Sequence, residues 1–428
     1  MIGFVALAPL AILASSSLVD ALPSPVRLEG SVPTVTRRDG TVDEALFARN
    51  LDATFPKLEG VNPGQADVEP QVGRNARRAL PLGKRCDKQA QVSLDARQYA
   101  NFVPVKFGSS GQTLSLILDT GSTDLVVQST NANGASAFDT SKSTSYKATD
   151  EAFTFSYVDG SMSGIIAQDK ISVGGLSIDK QTFGLVESDH SAGVSGVFGL
   201  GMPSQAKIAA PSVMDSLYSA GKLDSKSFGL ALGSAESGKG SLILGGMDEA
   251  YAKSPYMKLP VWTPFGRWAL GLQIVVVNSR TAAGGLGVAT FIDSGSTVSY
   301  LPKDVVKTIH SAIPGAKLYD TITQGLNGVD YTVERWQYPC NAQIGQVGFS
   351  FDGGRRQVAQ IQPGTFNLGY ANEDSKEMCA STFFGVDIEL GGVKAGILGA
   401  NFLRNVYAKF DFGSQNEQPT ISFWNAHK

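Results

Sequence analysis

Two short segments of the chain place an acidic residue, a glycine and several hydroxyl side chains in the same order. One begins at Asp119 and reads Asp-Thr-Gly-Ser-Thr, and the other begins at Asp293 and reads Asp-Ser-Gly-Ser-Thr. Two apolar residues precede each acid, which is typical of the end of a buried strand. The segments are separated by about one domain length, so we predict two duplicated halves that face one another.

The chemistry available to such a pair is general acid–base catalysis. Two carboxyl groups within hydrogen-bonding distance share one proton, because the two cannot both ionise cheaply, and they titrate as a unit. They can then activate a water molecule and protonate a carbonyl oxygen without a metal ion. A single copy would more simply be a turn that ends a strand. Two near-identical copies in matching apolar contexts predict that Asp119 and Asp293 are catalytic.

The other residues of the two segments are expected to support this dyad. Each glycine permits a tight backbone turn. The serine after it can bond the outer oxygen of the neighbouring carboxylate, and the hydroxyl residue before it can tie one turn to the other. The supporting residues are Thr120, Gly121, Ser122, Ser294, Gly295, Ser296 and Thr297.

Composition indicates the elements that must position these turns. The chain has 428 residues, 42% of them hydrophobic and 18% charged, with 48 glycines and a formal net charge of −3. These values favour two or three folded domains and give no indication of nucleic-acid binding. Short alternating runs between turn residues predict strands; they lie at 102–107, 114–119, 153–158, 170–178, 241–246, 270–278 and 347–351.

Helices are predicted at two places only, residues 210–221 and 302–313, and Pro302 suits a first helical turn. The fold class is therefore predicted to be all-β with a few short helices. His190 and His310 are interpreted as surface or helix residues rather than catalysts. No His-Glu-x-x-His motif or Gly-x-Ser-x-Gly elbow occurs.

The N-terminal residues differ in amino-acid composition from the rest of the chain. Residues 1–21 are predicted to be a secretory signal peptide, because their apolar run is too short to span a bilayer; a buried N-terminal helix is the alternative. Residues 22–85 are rich in Pro, Arg and acids and contain dibasic pairs at 37–38, 77–78 and 84–85. They are predicted to be a propeptide cleaved by a kexin-type protease, with a solvated linker as the alternative.

The chain contains three cysteines. In an oxidising compartment Cys340 and Cys379 can close one loop, which leaves Cys86 over. Cys86 would begin the mature chain if cleavage follows Arg85. It could also pair between chains, or leave with the propeptide.

Further segments carry a resemblance to a known family. Residues 157–164 (YVDGSMSG) resemble a flap hairpin, 196–201 and 395–411 resemble the apolar-apolar-glycine segments behind each catalytic loop, and 240–251 resembles the stretch that closes the N-terminal lobe. Over about residues 99–424 the chain is similar to the pepsin family of aspartic endopeptidases in its secreted fungal form. The resemblance implies a bilobal all-β acid-protease fold of two β-barrel-like lobes, at 86–258 and 259–428.

The resemblance also implies site residues. The flap that contacts substrate would comprise Tyr157, Val158, Asp159, Gly160 and Ser161. The Cys340–Cys379 pair matches the disulfide of the C-terminal lobe, and no metal ion or cofactor is implied.

Two residues depart from the family pattern: Val126 stands where pepsin has a tryptophan, and Val158 stands where a glycine usually follows the flap tyrosine. Asp159 is hypothesised to receive a substrate lysine at P1, beside bulky apolar residues. The alternative is a solvated acid at the hairpin tip.

The function implied is acid-pH endopeptidase activity on extended polypeptides. The expected partners are polypeptide substrates, the chain's own propeptide as an intramolecular inhibitor, a kexin-type processing protease and pepstatin-type inhibitors, but neither nucleic acid nor membrane. A secreted monomer is expected, with an acidic vacuole as the second location. The alternative is a catalytically inactive pepsin-like protein that binds a polypeptide or glycan, which Val126 and Val158 keep open.

Overall fold

The computed structural model describes most of the chain after the predicted propeptide. The described residues are 88–97, 100–129, 137–157, 160–189, 195–233, 238–251, 257–326, 329–352, 359–372, 376–414 and 416–425. Signal peptide, propeptide, Cys86, Val158, Asp159 and His190 lie outside them. Among the described residues, no helix is long and apolar enough to cross a membrane.

Strands make up most of the described structure and confirm the all-β prediction. Those of the first part of the chain are β1 Ala90–Arg97, β2 Ala100–Phe107, β3 Gln112–Asp119, β4 Leu125–Gln128, β5 Lys147–Tyr157, β6 Gly160–Val173, β7 Leu176–Asp189, β8 Gly196–Gly199, β9 Ser227–Ala231, β10 Lys239–Leu244 and β11 Met257–Pro260. The predicted runs at 102–107 and 114–119 lie within β2 and β3, and those at 153–158 and 241–246 begin within β5 and β10. Residues 170–178 form the end of β6, a turn at two glycines and the start of β7.

The second part of the chain has the same character. Its strands are β12 Ala269–Val277, β13 Arg280–Ile292, β14 Ser299–Leu301, β15 Lys317–Leu326, β16 Val329–Pro339, β17 Val347–Ser350, β18 Ala359–Ile361, β19 Asn367–Tyr370, β20 Met378–Ser381, β21 Phe383–Gly385, β22 Ile388–Leu390, β23 Val393–Leu398, β24 Val406–Asp411 and β25 Thr420–Asn425.

Helices within the described residues are few and short. The α-helices are α1 Val213–Ser219, α2 Lys303–His310 and α3 Ala400–Leu403, and 3₁₀ turns lie at Thr140–Lys142, Pro203–Gln205, Glu249–Tyr251, Thr263–Phe265 and Pro363–Phe366. The first two α-helices were predicted with longer bounds, and α3 was not predicted. Pro302 is the N-cap of α2 rather than part of its first turn, because its backbone is extended (φ −50°, ψ 142°).

The strands form two sheets. The first sheet has 13 strands in the order β11-β25-β24-β9-β10-β1-β2-β3-β8-β4-β7-β6-β5, and an added β2–β6 pairing closes part of it into a barrel. The second has 12 strands, with the order β18-β17-β12-β13-β23-β14-β21-β16-β20-β19, β15 beside β16 and β22 beside β23. The last two strands of the chain therefore belong to the first sheet, where β24 pairs with β9.

The two sheets repeat one local arrangement. In the first, β3 lies parallel to β8, which is antiparallel to β4. In the second, β13 lies parallel to β23, which is antiparallel to β14. One of the two repeated acidic segments begins at the last residue of β3 and the other directly after β13, so the duplication expected from the sequence is present in the strand pairing. The fold is the bilobal all-β fold of the pepsin type.

The disulfide expected from the resemblance is confirmed. Cys340 is bonded to Cys379, and the bond joins the end of β16 to β20 across a sequence separation of 39 residues. Closing a loop of that length in the unfolded chain stabilises the fold by about 4 kcal/mol in the chain-entropy account.

Candidate active site

The two acids stand at the ends of buried strands. Asp119 is the last residue of β3, and Asp293 directly follows β13. Their exposed fractions are 0% and 2%. A carboxyl group is costly to bury unless it is hydrogen-bonded, so the donors around each acid decide whether this arrangement is stable.

Each carboxylate accepts two hydrogen bonds from its own turn. Gly121 N donates to Asp119 Oδ1 at 2.8 Å, and Ser122 Oγ donates to Asp119 Oδ2 at 2.5 Å. The second turn repeats both bonds at 2.8 Å: the backbone N of the following glycine bonds Asp293 Oδ1, and Ser296 Oγ bonds Asp293 Oδ2. Each turn thus fixes one carboxylate in the same orientation.

Hydroxyl groups tie the two turns together. Thr120 N donates to Ser294 Oγ at 3.0 Å, and Ser294 N donates to Thr120 Oγ1 at 2.9 Å. The same hydroxyls donate across to backbone carbonyls, Thr120 to Ile292 O at 2.8 Å and Ser294 to Leu118 O at 2.9 Å. Four reciprocal bonds therefore hold the two strand ends in register. Thr297 is also buried, with an exposed fraction of 2%.

The two glycines bring each turn against the opposite acid. A Cβ atom built on Gly121 would lie 2.7 Å from the carboxylate of Asp293, and one on Gly295 would collide with Asp119 Oδ1 at still shorter range. Real Cβ atoms do not approach so closely. Glycine is thus required at both positions for the two carboxyl groups to face one another.

Backbone bonds from the segments that follow β8 and β23 fix the position of the two turns. Gly201 N donates to Ser122 O at 2.6 Å, and Ala400 N donates to Ser296 O at 2.7 Å. These donors come from the segments that resembled the apolar-apolar-glycine strands of the family. The supports are therefore duplicated as well as the acids.

The first turn makes two further contacts through its glycine carbonyl. Gly121 O accepts a bond from Gln205 Nε2 at 2.7 Å and a longer one from Arg267 Nη1 at 3.4 Å. Arg267 is buried, with an exposed fraction of 8%, and its guanidinium lies 5.9 Å from the centre of the Phe291 ring. Gln205, Arg267, Phe291 and Asp293 line one pocket beside the dyad.

Burial and charge act on Arg267 in opposite directions. Burial lowers the pKa of its guanidinium to about 10, while the carboxylates of Asp293 and Asp119 raise it. A group with that pKa keeps its proton throughout the acidic and neutral range. The site therefore contains one permanent cation beside two carboxyl groups.

The predicted flap is a hairpin. Tyr157 is the last residue of β5 and pairs through its backbone with Gly160, the first residue of β6, and Ser161 pairs with Ser156. Two residues, Val158 and Asp159, connect the strands and lie outside the described residues. The hairpin fits the predicted flap in the backbone, while the roles of its side chains stay predictions.

Comparison with known proteins decides the family. A model of the eukaryotic aspartyl proteases matches residues 98–422. The chain belongs to this family. It is 28% identical to major aspartyl peptidase 1 of Cryptococcus neoformans over 75% of the chain and 68% of that protein. It is 28% identical to candidapepsin-4 of Candida albicans (94% and 93% covered) and 25% identical to bovine pepsin A (78% and 88% covered).

As a eukaryotic aspartyl protease the chain is an aspartic endopeptidase. Pepsin-like proteases act on polypeptide substrates and are inhibited by pepstatin-type compounds, so the predicted enzyme class is confirmed. The alternative of an inactive binding protein is not favoured, because both acids of this aspartyl protease keep their glycine and hydroxyl supports.

Val126 occupies the position at which pepsin has a tryptophan. It lies in β4 with an exposed fraction of 0% and pairs with Gly184 and Val197. Its side chain packs in the core and has no hydrogen-bond donor. Val126 therefore cannot donate a side-chain hydrogen bond to the flap tyrosine, as the indole N–H of a tryptophan could.

Three residues near the dyad of this aspartyl protease were missed by the sequence analysis: Gln205, Arg267 and Trp268. Trp268 is buried and donates from Nε1 to Leu200 O at 2.8 Å. These residues were hard to recognise from the sequence, because Gln205 and Arg267 lie 84 and 146 residues from Gly121, whose carbonyl oxygen both side chains contact. An arginine two residues before an apolar strand was the one available sign.

Proposed function

We propose that Asp119 and Asp293 hydrolyse peptide bonds of extended polypeptides at acidic pH by activating a single water molecule held between them. One observation carries the proposal: two buried carboxyl groups lie on turns that are cross-linked by reciprocal hydrogen bonds and are each packed against the opposite glycine. Such a pair shares one proton.

The reaction needs no covalent enzyme intermediate. The ionised carboxylate accepts a proton from water as the water oxygen bonds the scissile carbonyl carbon, and the protonated carboxyl donates its proton to the carbonyl oxygen. The product of this step is a neutral gem-diol. The carboxyl group that took the proton from water then donates it to the amide nitrogen, while the other carboxylate accepts a proton from a gem-diol hydroxyl as the C–N bond breaks. An amine and a carboxylic acid are released, and the dyad again holds one proton.

The hairpin between β5 and β6 would close over the substrate. Tyr157, Val158, Asp159, Gly160 and Ser161 are proposed to contact an extended peptide, exclude bulk water and supply hydrogen bonds. The two proposed lobes, residues 86–258 and 259–428, would lie on either side of that peptide, with one acid supplied by each.

We also propose a secreted zymogen. Residues 1–21 would direct secretion, and residues 22–85 would cover the cleft until a kexin-type protease cuts after Arg85. Two contacts support this site: Lys88 N donates to Asp224 Oδ2 at 2.8 Å, and Asp224 N donates to Lys88 O at 3.2 Å. A cut after Arg85 leaves this anchor and β1 intact. The mature enzyme would be an extracellular monomer, with an acidic vacuole as the second location.

The proposal is tested by cleavage of a denatured protein from about pH 2.5 to about pH 7. Wild type, Asp293→Asn and Asp179→Asn are compared with and without pepstatin; Asp179 is a matched control because its side chain is 89% exposed. Acid-optimal, pepstatin-blocked cleavage that is lost only in Asp293→Asn is expected. Cleavage that survives in Asp293→Asn would mean that the dyad is structural.

A further inference from the structure

The buried arginine beside the dyad is not used by the reaction as proposed. Arg267 lies between the 3₁₀ turn Thr263–Phe265 and the start of β12. An isolated buried cation is costly unless an opposite charge compensates it. Among the residues that the structure describes, Arg267 has no direct ion pair. Its compensation must therefore come from charges at longer range.

The two catalytic carboxyl groups are the charges that act on it. Arg267 and Asp293 line the same pocket, and the guanidinium contacts the carbonyl of Gly121, the residue packed against the Asp293 carboxylate. Both carboxylates raise the pKa of the guanidinium, Asp293 more than Asp119. The described groups packed around the guanidinium from other elements are neutral: the amide of Gln205, the carbonyl of Gly121 and the ring of Phe291. The dyad is thus the counter-ion of Arg267.

We propose that Arg267 is a positioning residue whose cation balances the single negative charge of the catalytic dyad and thereby extends peptide hydrolysis into stronger acid. The inference rests on the proposed function. With one shared proton the dyad carries one negative charge, so dyad and arginine together are neutral. A second proton on the dyad would leave the buried cation unbalanced, and protonation is therefore delayed to lower pH.

The sign of the effect is the same for both ionisations of the dyad. A nearby cation stabilises the more negative form of the dyad in each of its two ionisations. Both the acidic and the basic limb of the pH profile therefore lie at lower pH than they would without the cation. At an effective dielectric constant near 20, one charge about 10 Å away corresponds to a shift of about one pH unit.

A hydrogen bond to the catalytic turn is a separate contribution. Gln205 Nε2 bonds Gly121 O at 2.7 Å, whereas the bond from Arg267 is 3.4 Å long. The neutral glutamine therefore supplies the better bond to the same atom. This difference gives a matched control, since Gln205 can be changed without a change of charge.

The test is the pH dependence of kcat/KM for a blocked peptide without ionisable side chains. Arg267→Gln and Arg267→Met remove the charge, Arg267→Lys keeps it, and Gln205→Met removes only the neutral bond. Rates are normalised to active sites titrated with pepstatin. In Arg267→Gln and Arg267→Met, both the acidic and the basic limb of the kcat/KM profile are expected to move to higher pH by about one unit. Arg267→Lys and Gln205→Met are expected to keep the limbs of the wild type, whatever their absolute rates.

Three outcomes would overturn the inference: unmoved limbs in a neutral variant, an equal shift in Arg267→Lys, or an equal shift in Gln205→Met. The last two would assign the effect to packing or to the turn instead of charge. Two neutral variants are used so that poor folding of one leaves the other. Failure of the proposed function is distinct, because it appears as activity retained in Asp293→Asn.

Discussion

The turn that begins at Asp119 is followed by a second acid, Asp124, whereas Val298 occupies the matching place after the turn that begins at Asp293; Asp124 and Val298 are both buried. Asp124 accepts bonds from Lys207 N at 2.9 Å and Ile208 N at 3.2 Å, yet burial raises its pKa to about 6. The part of the molecule built on the second sheet instead buries His310, at the end of α2.

His310 is stabilised as a neutral ring. Its Nδ1 lies 2.8 Å from Val306 O, and the ring stacks on Trp336 with centroids 4.7 Å apart. Burial lowers its pKa to about 4. The two parts of the molecule therefore share the hydrogen-bonded geometry of their acidic turns, but the stabilities contributed by Asp124 and His310 change with pH in opposite directions.

The opposite responses cancel over part of the acidic range. The folded-state pKa of Asp124 is raised from 3.8 to about 6, so its contribution to stability is present below the unfolded pKa and is lost as pH rises through about 6. The folded-state pKa of His310 is lowered from 6.5 to about 4, so its contribution is lost as pH falls toward about 4. Between these values the two slopes compensate, and the molecule keeps both groups uncharged.

The largest effect is expected from breaking the symmetry of the turns themselves. Gly295→Ala and Gly121→Ala should each lower kcat/KM by at least about 100-fold, because the added methyl group displaces the opposite carboxyl group. Gly295→Ala should cost more, since its Cβ approaches Asp119 more closely. Steady-state kinetics measure the loss.

Gly364→Ala is the matched control, because nothing lies within 4 Å of a Cβ atom there. Normal activity in Gly295→Ala would contradict the close approach of the two turns.

The substitution His310→Phe should remove the part of the loss of folding stability that His310 causes as pH falls toward about 4. The ring can still stack on Trp336, but it can no longer gain a proton on unfolding. Relative to wild type, the free energy of unfolding should rise by up to about 3 kcal/mol as pH falls from about 6.5 to below 4. Denaturant unfolding at several pH values measures it.

Lys307→Gln, on the exposed side of the same helix, controls for charge. A pH dependence in His310→Phe that parallels wild type would refute the assignment to His310.

The substitution Asp124→Asn should remove the part of the loss of folding stability that Asp124 causes as pH rises through about 6. The amide cannot ionise, so the variant should gain up to about 3 kcal/mol relative to wild type as pH rises from about 3.8 to above 6. Thermal unfolding between acidic and neutral pH measures the gain.

The double variant with His310→Phe sharpens the comparison, since it should lack both slopes. If folding stability still falls by the same amount toward neutral pH in Asp124→Asn, the fall originates in a group other than Asp124.

The smallest effect is expected at the flap, which belongs to the first part of the molecule. If Asp159 receives a lysine at P1, Asp159→Ala should lower the ratio of lysine to leucine cleavage by about fivefold, as for one exposed ion pair. Competition between two matched peptides measures the ratio. Asp159→Glu is the control that keeps the charge, and an unchanged ratio in Asp159→Ala would leave Asp159 as a solvated turn residue.

The sequence revealed the features that depend on short stretches of chain. The acids, their glycines and their hydroxyl residues form one repeated local motif, and strand alternation located β2, β3 and β12. Features that depend on long-range packing were not visible. Arg267 meets Gly121 only because the fold brings them together, and the burial of His310 against Trp336 depends on how α2 packs on the second sheet.

The return of the last two strands to the first sheet has a consequence during synthesis. Until β24 emerges from the ribosome, β9 has no partner on that side, although every other strand of the first sheet except β25 is complete once β11 has been made. About 180 residues separate β9 from the end of β24, which at usual elongation rates corresponds to roughly 10 to 40 s. For that time the nascent chain exposes an apolar strand edge of the kind that pairs with other chains. A chaperone or the still-attached N-terminal segment would have to cover it.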